Sequence, residues 1–545
     1  MFARSFPPSL RSSSGRSFSW AWTSTSAASA VALAAAGVLL LRRLWDDVGA
    51  KPLFEDEAVA GLVAARPVHE LVGTVMWDRG GAPLHFLLAH AGFAVSGGWE
   101  TLRWLSVAAA LACVPISFDL GRRLGGPPAG AVAALVVAAS TVLSIYGSFG
   151  RMYALLVLAG AIVADVFVRA LQLRTPVAAA LAAAGAWLLP AVHPYGAIPV
   201  AAGALVALWL WRFRPFRAGV PALLVGLAAI PFAVADLRLS GRFGVGVSGE
   251  SSLASPTEAW KQFGRAIESF AGGGEPILVA TFCVLAVVGA VALARERNPF
   301  VVAAAASLLA PPVLFMLVRS PGSPGLSPRH LAYALPVWAA LIGVGITRVS
   351  SRQAWAGVAV AGVAAAVAAP GGIVDPRATT SNAILGGGPG EVAPGSPGSV
   401  AQAARWARST VRPGDVLFPY SPAFLAALPE SGKALSLPYG QALLLRRTLR
   451  RADWPVPGVV IAVPLVDGVV GGSRWPASRA STYSSSDWFL LRVAGPFADE
   501  RALLSAASDA FAAVDRGAAR RDFHLDVYLE RNRRVLREAL DSTGS

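Results

Sequence analysis

Between residues 24 and 374 the chain runs as successive apolar blocks, each roughly 17–22 residues long. A block of that length crosses the hydrocarbon core of a bilayer as one α-helix, which satisfies every backbone N–H and C=O within the segment. About eleven spans are expected, at approximately 24–43, 101–120, 128–147, 152–171, 175–191, 195–211, 218–236, 276–294, 299–318, 330–347 and 354–371. The fold class is therefore mainly α, a polytopic transmembrane helical domain over 23–375. Residues 1–22 are Ser/Arg-rich with Pro7-Pro8 and are expected to form a disordered cytoplasmic tail. Gly, Pro and Ser dominate a linker at 376–398, and 399–545 turns to mixed charge and shorter apolar runs. The first block carries an Arg-bearing leader, but Arg42-Arg43 and the spans behind it favour an uncleaved anchor.

The net charge of +15 does not indicate nucleic acid, because the arginines cluster at the ends of apolar blocks. There they act as topology signals and contacts to membrane lipids. With the N-terminus in the cytoplasm, the loops bearing Arg122-Arg123, Arg169 to Arg174, Arg212/Arg214/Arg217, Arg295/Arg297 and Arg348/Arg352 all fall inside. An odd number of spans then sends the C-terminal domain outside. Arg42 and Arg43 fit this scheme poorly, since they sit near the outer end of the first span. The preference for Arg over Lys and the abundance of Ala point to a high-GC bacterial source, hence the inner (plasma) membrane. Cys113 and Cys283 lie within apolar blocks and offer neither a disulfide framework nor zinc spacing.

Residues 44–100 read as a long outer loop, with apolar residues at helical spacing in 57–66, 69–77 and 83–96 and with Pro67 and Pro83 as breaks. The last of these is too short to span and is expected to lie at the interface. A second outer loop, 237–275, contains an amphipathic stretch at 257–270. His85 and His90 are given no role.

Several polar residues converge on the outer face under this topology. Asp56 and Glu57 follow the first span, Arg151 and Tyr153 lie at the turn between the third and fourth with Tyr146, His193 and Tyr195 share the turn between the fifth and sixth, and Arg329-His330 opens the tenth. Acids, histidines, tyrosines and two arginines at one membrane face suit a phosphate-bearing lipid and a hydroxyl nucleophile. Each also has a plainer reading. Arg151 serves equally as an interface anchor, His193 as a turn residue before proline, and Tyr153 as aromatic-belt packing.

These residues carry a resemblance. The run Asp56-Glu57-Ala58, then Ala82-Pro83-Leu84-His85-Phe86-Leu87-Leu88, Arg103, and Leu120-Gly121-Arg122-Arg123-Leu124-Gly125 resembles the opening of GT-C fold glycosyltransferases related to protein mannosyltransferases and the lipid A aminoarabinose transferase. Tyr146-Gly147-Ser148-Phe149-Gly150-Arg151-Met152-Tyr153-Ala154-Leu155-Leu156 is similar to the family's Tyr-x-Gln-Glu-Ala-Arg-Met-Tyr-Ala-Leu-Leu. His193-Pro194-Tyr195-Gly196 is similar to its His-Tyr-Tyr-Gly turn, and Arg329-His330-Leu331 with Leu335-Pro336 to its Arg-Tyr-Leu and later Leu-Pro. The match runs in order over about 50–345.

The resemblance implies an integral-membrane glycosyltransferase that moves a sugar, with inversion, from a polyprenyl-phosphate donor to a glycan, lipid or protein acceptor on the extracytoplasmic face. Asp56 would be the general base, with Glu57 beside it. Arg151, Arg329, His330 and Tyr153 would hold the donor phosphate, and His193 and Tyr195 would position the acceptor. No cofactor is certain; a divalent metal held by Glu57 and His193 stays open. Departures from the pattern include Phe149 in place of a family Glu, His85 in place of Tyr, and His330 in place of Tyr. Phe149 keeps open a non-catalytic glycolipid-binding scaffold. A lipid-linked glycan transporter is the other alternative, although internal repeats and broken mid-membrane helices are not evident in the sequence.

The C-terminal domain is expected to be a small extracytoplasmic α/β unit. Helices are predicted at 399–410, 439–451, 498–514 and 519–540, and strands at 415–419, 457–464 and 488–493. Asp415, after Pro413-Gly414, reads as turn chemistry.

Overall fold

The computed structural model describes residues 24–50, 55–78, 82–96, 100–173, 175–201, 203–204, 256–271, 275–318, 328–350, 353–367, 397–418, 435–436, 446, 449, 452–464, 469–470, 480–484, 488–520 and 523–543. Contacts divide the chain into two units. The first comprises Met1–Val48, Pro67–Arg242 and Ser251–Ile373; the second comprises Gly49–Arg66, Phe243–Glu250 and Val374–Ser545.

In chain order the helices are α1 (Ser24–Ala50), α2 (Glu55–Ala64), α3 (Val68–Asp78), α4 (Leu84–Ser96), α5 (Glu100–Gly125), α6 (Pro127–Ala139), α7 (Thr141–Tyr146), α8 (Tyr153–Leu173), α9 (Pro176–Ala186) and α10 (Leu188–Val192). There follow α11 (Pro256–Phe270), α12 (Pro276–Arg295), α13 (Phe300–Val318), α14 (Leu335–Val349) and α15 (Ala354–Val367). Short 3₁₀ helices occupy Pro194–Gly196 and Pro328–Ala334. Among the described residues five segments are long and apolar enough to cross a bilayer: Ala27–Trp45, Glu100–Gly125, Tyr153–Leu173, Pro276–Arg295 and Pro328–Val349. The protein is thus a multi-pass membrane protein. The predicted span 218–236, and residues 202 and 205–211 of the predicted span 195–211, lie outside the described residues.

α14 forms the centre of the membrane unit. Every residue from Leu335 to Gly345 is buried, against α5, α6, α8 and α12. The chain reaches α14 through the 3₁₀ turn and not through a continuous α-helix. Pro336 has no N–H to donate to residue 332, so the α ladder cannot start before Leu335.

The predicted span 128–147 is also corrected. It breaks at Ser140, whose backbone is extended (φ −62°, ψ 140°). The serine hydroxyl repairs the break from both sides, donating to the Val137 carbonyl at 2.8 Å and accepting from the Leu143 N–H at 3.3 Å. Arg43 completes the repair by donating from Nη1 to the Ala139 carbonyl at 3.0 Å and to Ser144 Oγ at 3.4 Å. Backbone groups freed within the membrane need such partners. Arg43, the residue that fitted the loop-charge pattern poorly, is therefore drawn inward by a broken helix.

At the other end of α5 and α8, charges neutralise one another. Arg123 Nε lies 2.7 Å from Asp119 Oδ2 and 3.1 Å from Asp165 Oδ1, and Arg169 lies 2.6 Å from Asp165 and 2.8 Å from Asp119. Arg122 also pairs with Asp119. Arg122, Arg123 and Arg169, read in the sequence as topology signals, also fasten two helices together.

The second unit contains α2, α16 (Pro397–Thr410), α17 (Glu500–Gly517) and α18 (Phe523–Asp541). Its strands are β1 (Val416–Phe418), β2 (Leu435–Ser436), β3 (Val456–Pro464), β4 (Val469–Val470), β5 (Ala480–Ser484), β6 (Trp488–Phe497) and β7 (Ala518–Arg520). The main sheet has order β2-β1-β3-β6-β5. β1 is parallel to β2 and β3, and β6 is antiparallel to β3 and β5. Alternation along β3 sends Val459, Ile461 and Val463 into a core with α17 and α18, whereas Val460 and Ala462 join Ala407 and Leu490 on the opposite face. Leu62 of α2 packs into that second cluster. The helix that begins the predicted outer loop 44–100 is thus built into the C-terminal unit. The predicted helix 439–451 lies mostly outside the described residues.

Candidate functional site

Local chain breaks in the membrane unit present the polar side chains. The loop 147–152 joins α7 to α8 and carries Arg151, and Tyr153 opens α8. Ser106 of α5, itself buried, holds this loop: its Oγ lies 2.7 Å from the Phe149 carbonyl oxygen and 3.3 Å from that of Arg151. Ser148 donates to Asp47 Oδ2 of α1 at 3.3 Å. Arg103 donates from Nη1 to the Val48 carbonyl at 2.9 Å, which caps the negative end of α1. Phe149, standing where the family carries Glu, is fully buried and stacks on Tyr153 with ring centroids 6.5 Å apart and planes 8° apart. It fills a core position.

His193 ends α10 because the following Pro194 disfavours α geometry; its backbone is extended at φ −154°. Its Nδ1 accepts the Tyr195 N–H at 3.2 Å and so caps the short 3₁₀ turn. Burial first, then the positive charges of Arg329 and Arg151, lower the His193 pKa to about 3, so the imidazole is neutral.

Arg329 and His330 arrive on the 3₁₀ segment Pro328–Ala334. The six predicted residues of this unit then form one cluster. His193 stacks on Tyr195 at 5.4 Å and meets His330 at 5.3 Å. Tyr195 lies 4.6 Å from His330, and Tyr153 lies 6.2 Å from His193. The Arg329 guanidinium sits over the Tyr153 ring, 5.4 Å from its centroid. Tyr146 packs on Tyr153 at 4.8 Å. The amphipathic helix α11, expected from the sequence at 257–270, packs on the 3₁₀ segment and on the end of α7.

The position of the 3₁₀ segment depends on Gly160. A Cβ there would stand 2.2 Å from the Tyr333 carbonyl oxygen and 2.9 Å from its Cα. Gly160→Val is expected to destabilise the membrane unit by about 1–3 kcal/mol and to displace Arg329 and His330. Thermal unfolding in detergent checks this; an unchanged midpoint would show that the segment can shift without cost.

The same unit holds an apolar cavity of about 110 Å³, lined by Gly160, Ala164, Phe167, Ala182, Leu189 and Tyr333 among others. Leu189 precedes His193 on α10, Tyr333 follows His330, and Gly160 lies about 10 Å along α8 from Tyr153 at 1.5 Å per residue. The polar cluster and the apolar, small-residue hollow are therefore built on the same three elements, α8, α10 and the 3₁₀ segment.

Asp56 and Glu57 stand in the first turn of α2, in the second unit, and Glu57 is fully buried. Among the described residues no group of three or more His, Cys, Asp or Glu side chains is placed to hold a metal ion. The donor set around His193 fits a dication poorly, because one imidazole nitrogen is committed to Tyr195 and two guanidinium groups lie close by.

Sequence reasoning missed His85. It is 1% exposed, donates to the Gly150 carbonyl and lies within electrostatic range of Arg151. Its place directly behind Pro83-Leu84, at the start of a helix ending the outer loop, was the available signal.

Neither a protein-family model nor a curated protein sequence matches the chain. Solved structures do match. ArnT from Cupriavidus metallidurans bound to undecaprenyl phosphate superposes with a TM-score of 0.53 at 14% identity, covering 86% of this chain and 99% of that one. Its apo state gives 0.54 at 14% identity, covering 87% and 100%. The archaeal oligosaccharyltransferase AglB from Archaeoglobus fulgidus, in complex with an inhibitory peptide and a dolichol-phosphate, gives 0.47 at 10% identity, covering 79% and 69%. The likeness to ArnT extends over nearly the whole of both chains and shows that this chain has the GT-C fold.

Proposed function

We propose that the protein is a GT-C glycosyltransferase that transfers a sugar from a polyprenyl-phosphate donor to an acceptor on the extracytoplasmic face of the membrane. One observation carries the reading: Arg151 and Arg329 converge with His193, Tyr195 and His330 on elements that also line an apolar cavity. A lipid phosphate needs that pairing, with forked cationic donors for the phosphoryl oxygens and an apolar hollow for the isoprenoid. The GT-C fold supports the same reading, as does ArnT bound to undecaprenyl phosphate.

In this mechanism Arg151 and Arg329 bind the donor phosphate and stabilise the negative charge that grows on it as the glycosidic bond breaks. Tyr153 holds the Arg329 guanidinium through its ring face. Neutral His193 and Tyr195 position the acceptor hydroxyl. Asp56 removes that hydroxyl's proton as the oxygen attacks the anomeric carbon from the face opposite the phosphate, which inverts the configuration. The basic loops support a cytoplasmic N-terminus and an extracytoplasmic C-terminal unit.

The test is transfer of labelled sugar from polyprenyl-phosphate donors to a cell-envelope acceptor fraction by the purified, reconstituted protein. Arg329→Ala is expected to weaken donor binding on the order of tenfold to hundredfold, the worth of hydrogen bonds to a charged group. Binding that is unaffected by loss of either arginine would remove the phosphate assignment. Donor binding without any transfer would favour the scaffold reading.

A further inference from the structure

His85 holds a buried polar atom that the mechanism above does not use. The side chain is 1% exposed, and Nε2 has no hydrogen-bond partner among the described residues. The imidazole donates to the Gly150 carbonyl, and since Nε2 is the unpartnered nitrogen, that proton is on Nδ1. The tautomer is thereby fixed, and Nε2 presents a lone pair. Buried acceptors are ordinarily satisfied, so one left open beside a binding loop calls for a donor from outside the protein. Phe86 packs against the ring at 5.6 Å and helps to fix it.

The chemistry of that donor is restricted. Phosphate oxygens are acceptors and would repel a lone pair. A second cation made by protonating His85 would face Arg151, whose charge already acts on the imidazole. A hydroxyl next to the phosphate meets both constraints, and in a glycosylated lipid phosphate the hydroxyls nearest the phosphate belong to the sugar.

We propose that His85 Nε2 accepts a hydrogen bond from a hydroxyl of the donor sugar and so makes the site prefer glycosylated over bare polyprenyl phosphate. This rests on the reading of Arg151 and Arg329 as the phosphate site. His85 is then a specificity-determining residue, held in its tautomer by the same loop that carries Arg151.

The experiment measures the Kd of full-length protein in nanodiscs for undecaprenyl phosphate and for undecaprenyl-phosphate-linked mannose and glucose. Wild type is expected to bind at least one glycosylated lipid more tightly than the bare one. His85→Asn keeps a donor for Gly150 but has no atom at Nε2. It is expected to lose about tenfold on the glycosylated lipid, the worth of one hydrogen bond, with bare-lipid binding unchanged. His85→Gln places an amide oxygen where Nε2 lies and should recover part of the preference. If His85→Asn does not fold, His85→Gln decides alone: a retained preference supports the proposal and a lost one overturns it. Equal losses on all lipids in His85→Asn would make His85 a positioning residue for the loop and overturn the proposal. Wild type that binds bare and glycosylated lipids equally would overturn it while leaving the phosphate site intact. Wild type that binds no lipid would overturn the phosphate reading and this proposal with it.

Discussion

Replacing Asp56 with Asn is expected to lower sugar transfer by a factor on the order of 10²–10⁴, the usual worth of a positioned general base. The substitution keeps size and shape but removes the group that can take a proton. An attacking hydroxyl must lose its proton as the new bond forms, and at neutral pH water is a poor recipient. Donor affinity should stay within a few-fold, because the proposed mechanism assigns the phosphate to Arg151 and Arg329 and not to Asp56. Initial rates at saturating donor, with donor Kd and thermal unfolding measured alongside, separate these effects. Equal rates in the two proteins would take Asp56 out of the chemistry and shift the role of base to another group. A rate loss matched by an equal loss of donor affinity would instead assign Asp56 to binding.

A second large effect is expected in the C-terminal unit. Arg492 of β6 forms a bidentate pair with Asp415 at 2.7 and 2.8 Å, and both side chains are buried. Asp415 Oδ2 also accepts the Arg412 N–H at 2.7 Å, and Arg492 donates to the Pro457 carbonyl at 3.3 Å. The pair crosses over β3 at Gly458, where a Cβ would lie 2.6 Å from both Asp415 Oδ1 and Arg492 Nη2. It therefore joins β1 to β6 across the strand between them. Asp415→Ala leaves a buried guanidinium without its carboxylate, which costs about 3–5 kcal/mol. For a unit of this size that is a fall in midpoint on the order of 10 °C. Because α2 packs into the same unit through Leu62, transfer should fall with stability. Adding Arg492→Ala to Asp415→Ala should cost much less than Arg492→Ala alone, since the stranded charge is then gone. Additive losses would mean that the two side chains stabilise the unit separately.

The pair also shows where sequence reading stops. Asp415 after Pro413-Gly414 was legible as a turn residue, and it does accept the Arg412 N–H. Its partner stands 77 residues away, and nothing in the local pattern of β6 marks Arg492 as the arginine that points inward. The same limit applies to Arg43. Read as a loop charge it contradicts the topology, and it makes sense only once the helix break at Ser140 is seen. That break is invisible to hydropathy, because a serine within an apolar run hardly changes the mean. His85 was passed over because the helix that carries it is apolar and short. Its contact with Gly150 joins segments with no sequence relation to each other.

By itself the sequence determined that the chain is a multi-pass helical membrane protein with a separate α/β unit. Apolar length and alternation are set by local chemistry, since a bilayer admits only segments that satisfy their own backbone. It also supplied Arg151, Tyr153, His193, Tyr195, Arg329 and His330, because each sits at a chain break on the expected face. Tertiary structure alone decided that these six form one cluster, and that α2 is built into the C-terminal unit. It also decided that buried His85 meets the 147–152 loop and that a buried ion pair ties Asp415 to Arg492. The physical reason is packing. Hydropathy fixes which side chains leave water, but which of them meet depends on backbone approaches as close as that at Gly160, and no pattern along the chain encodes those.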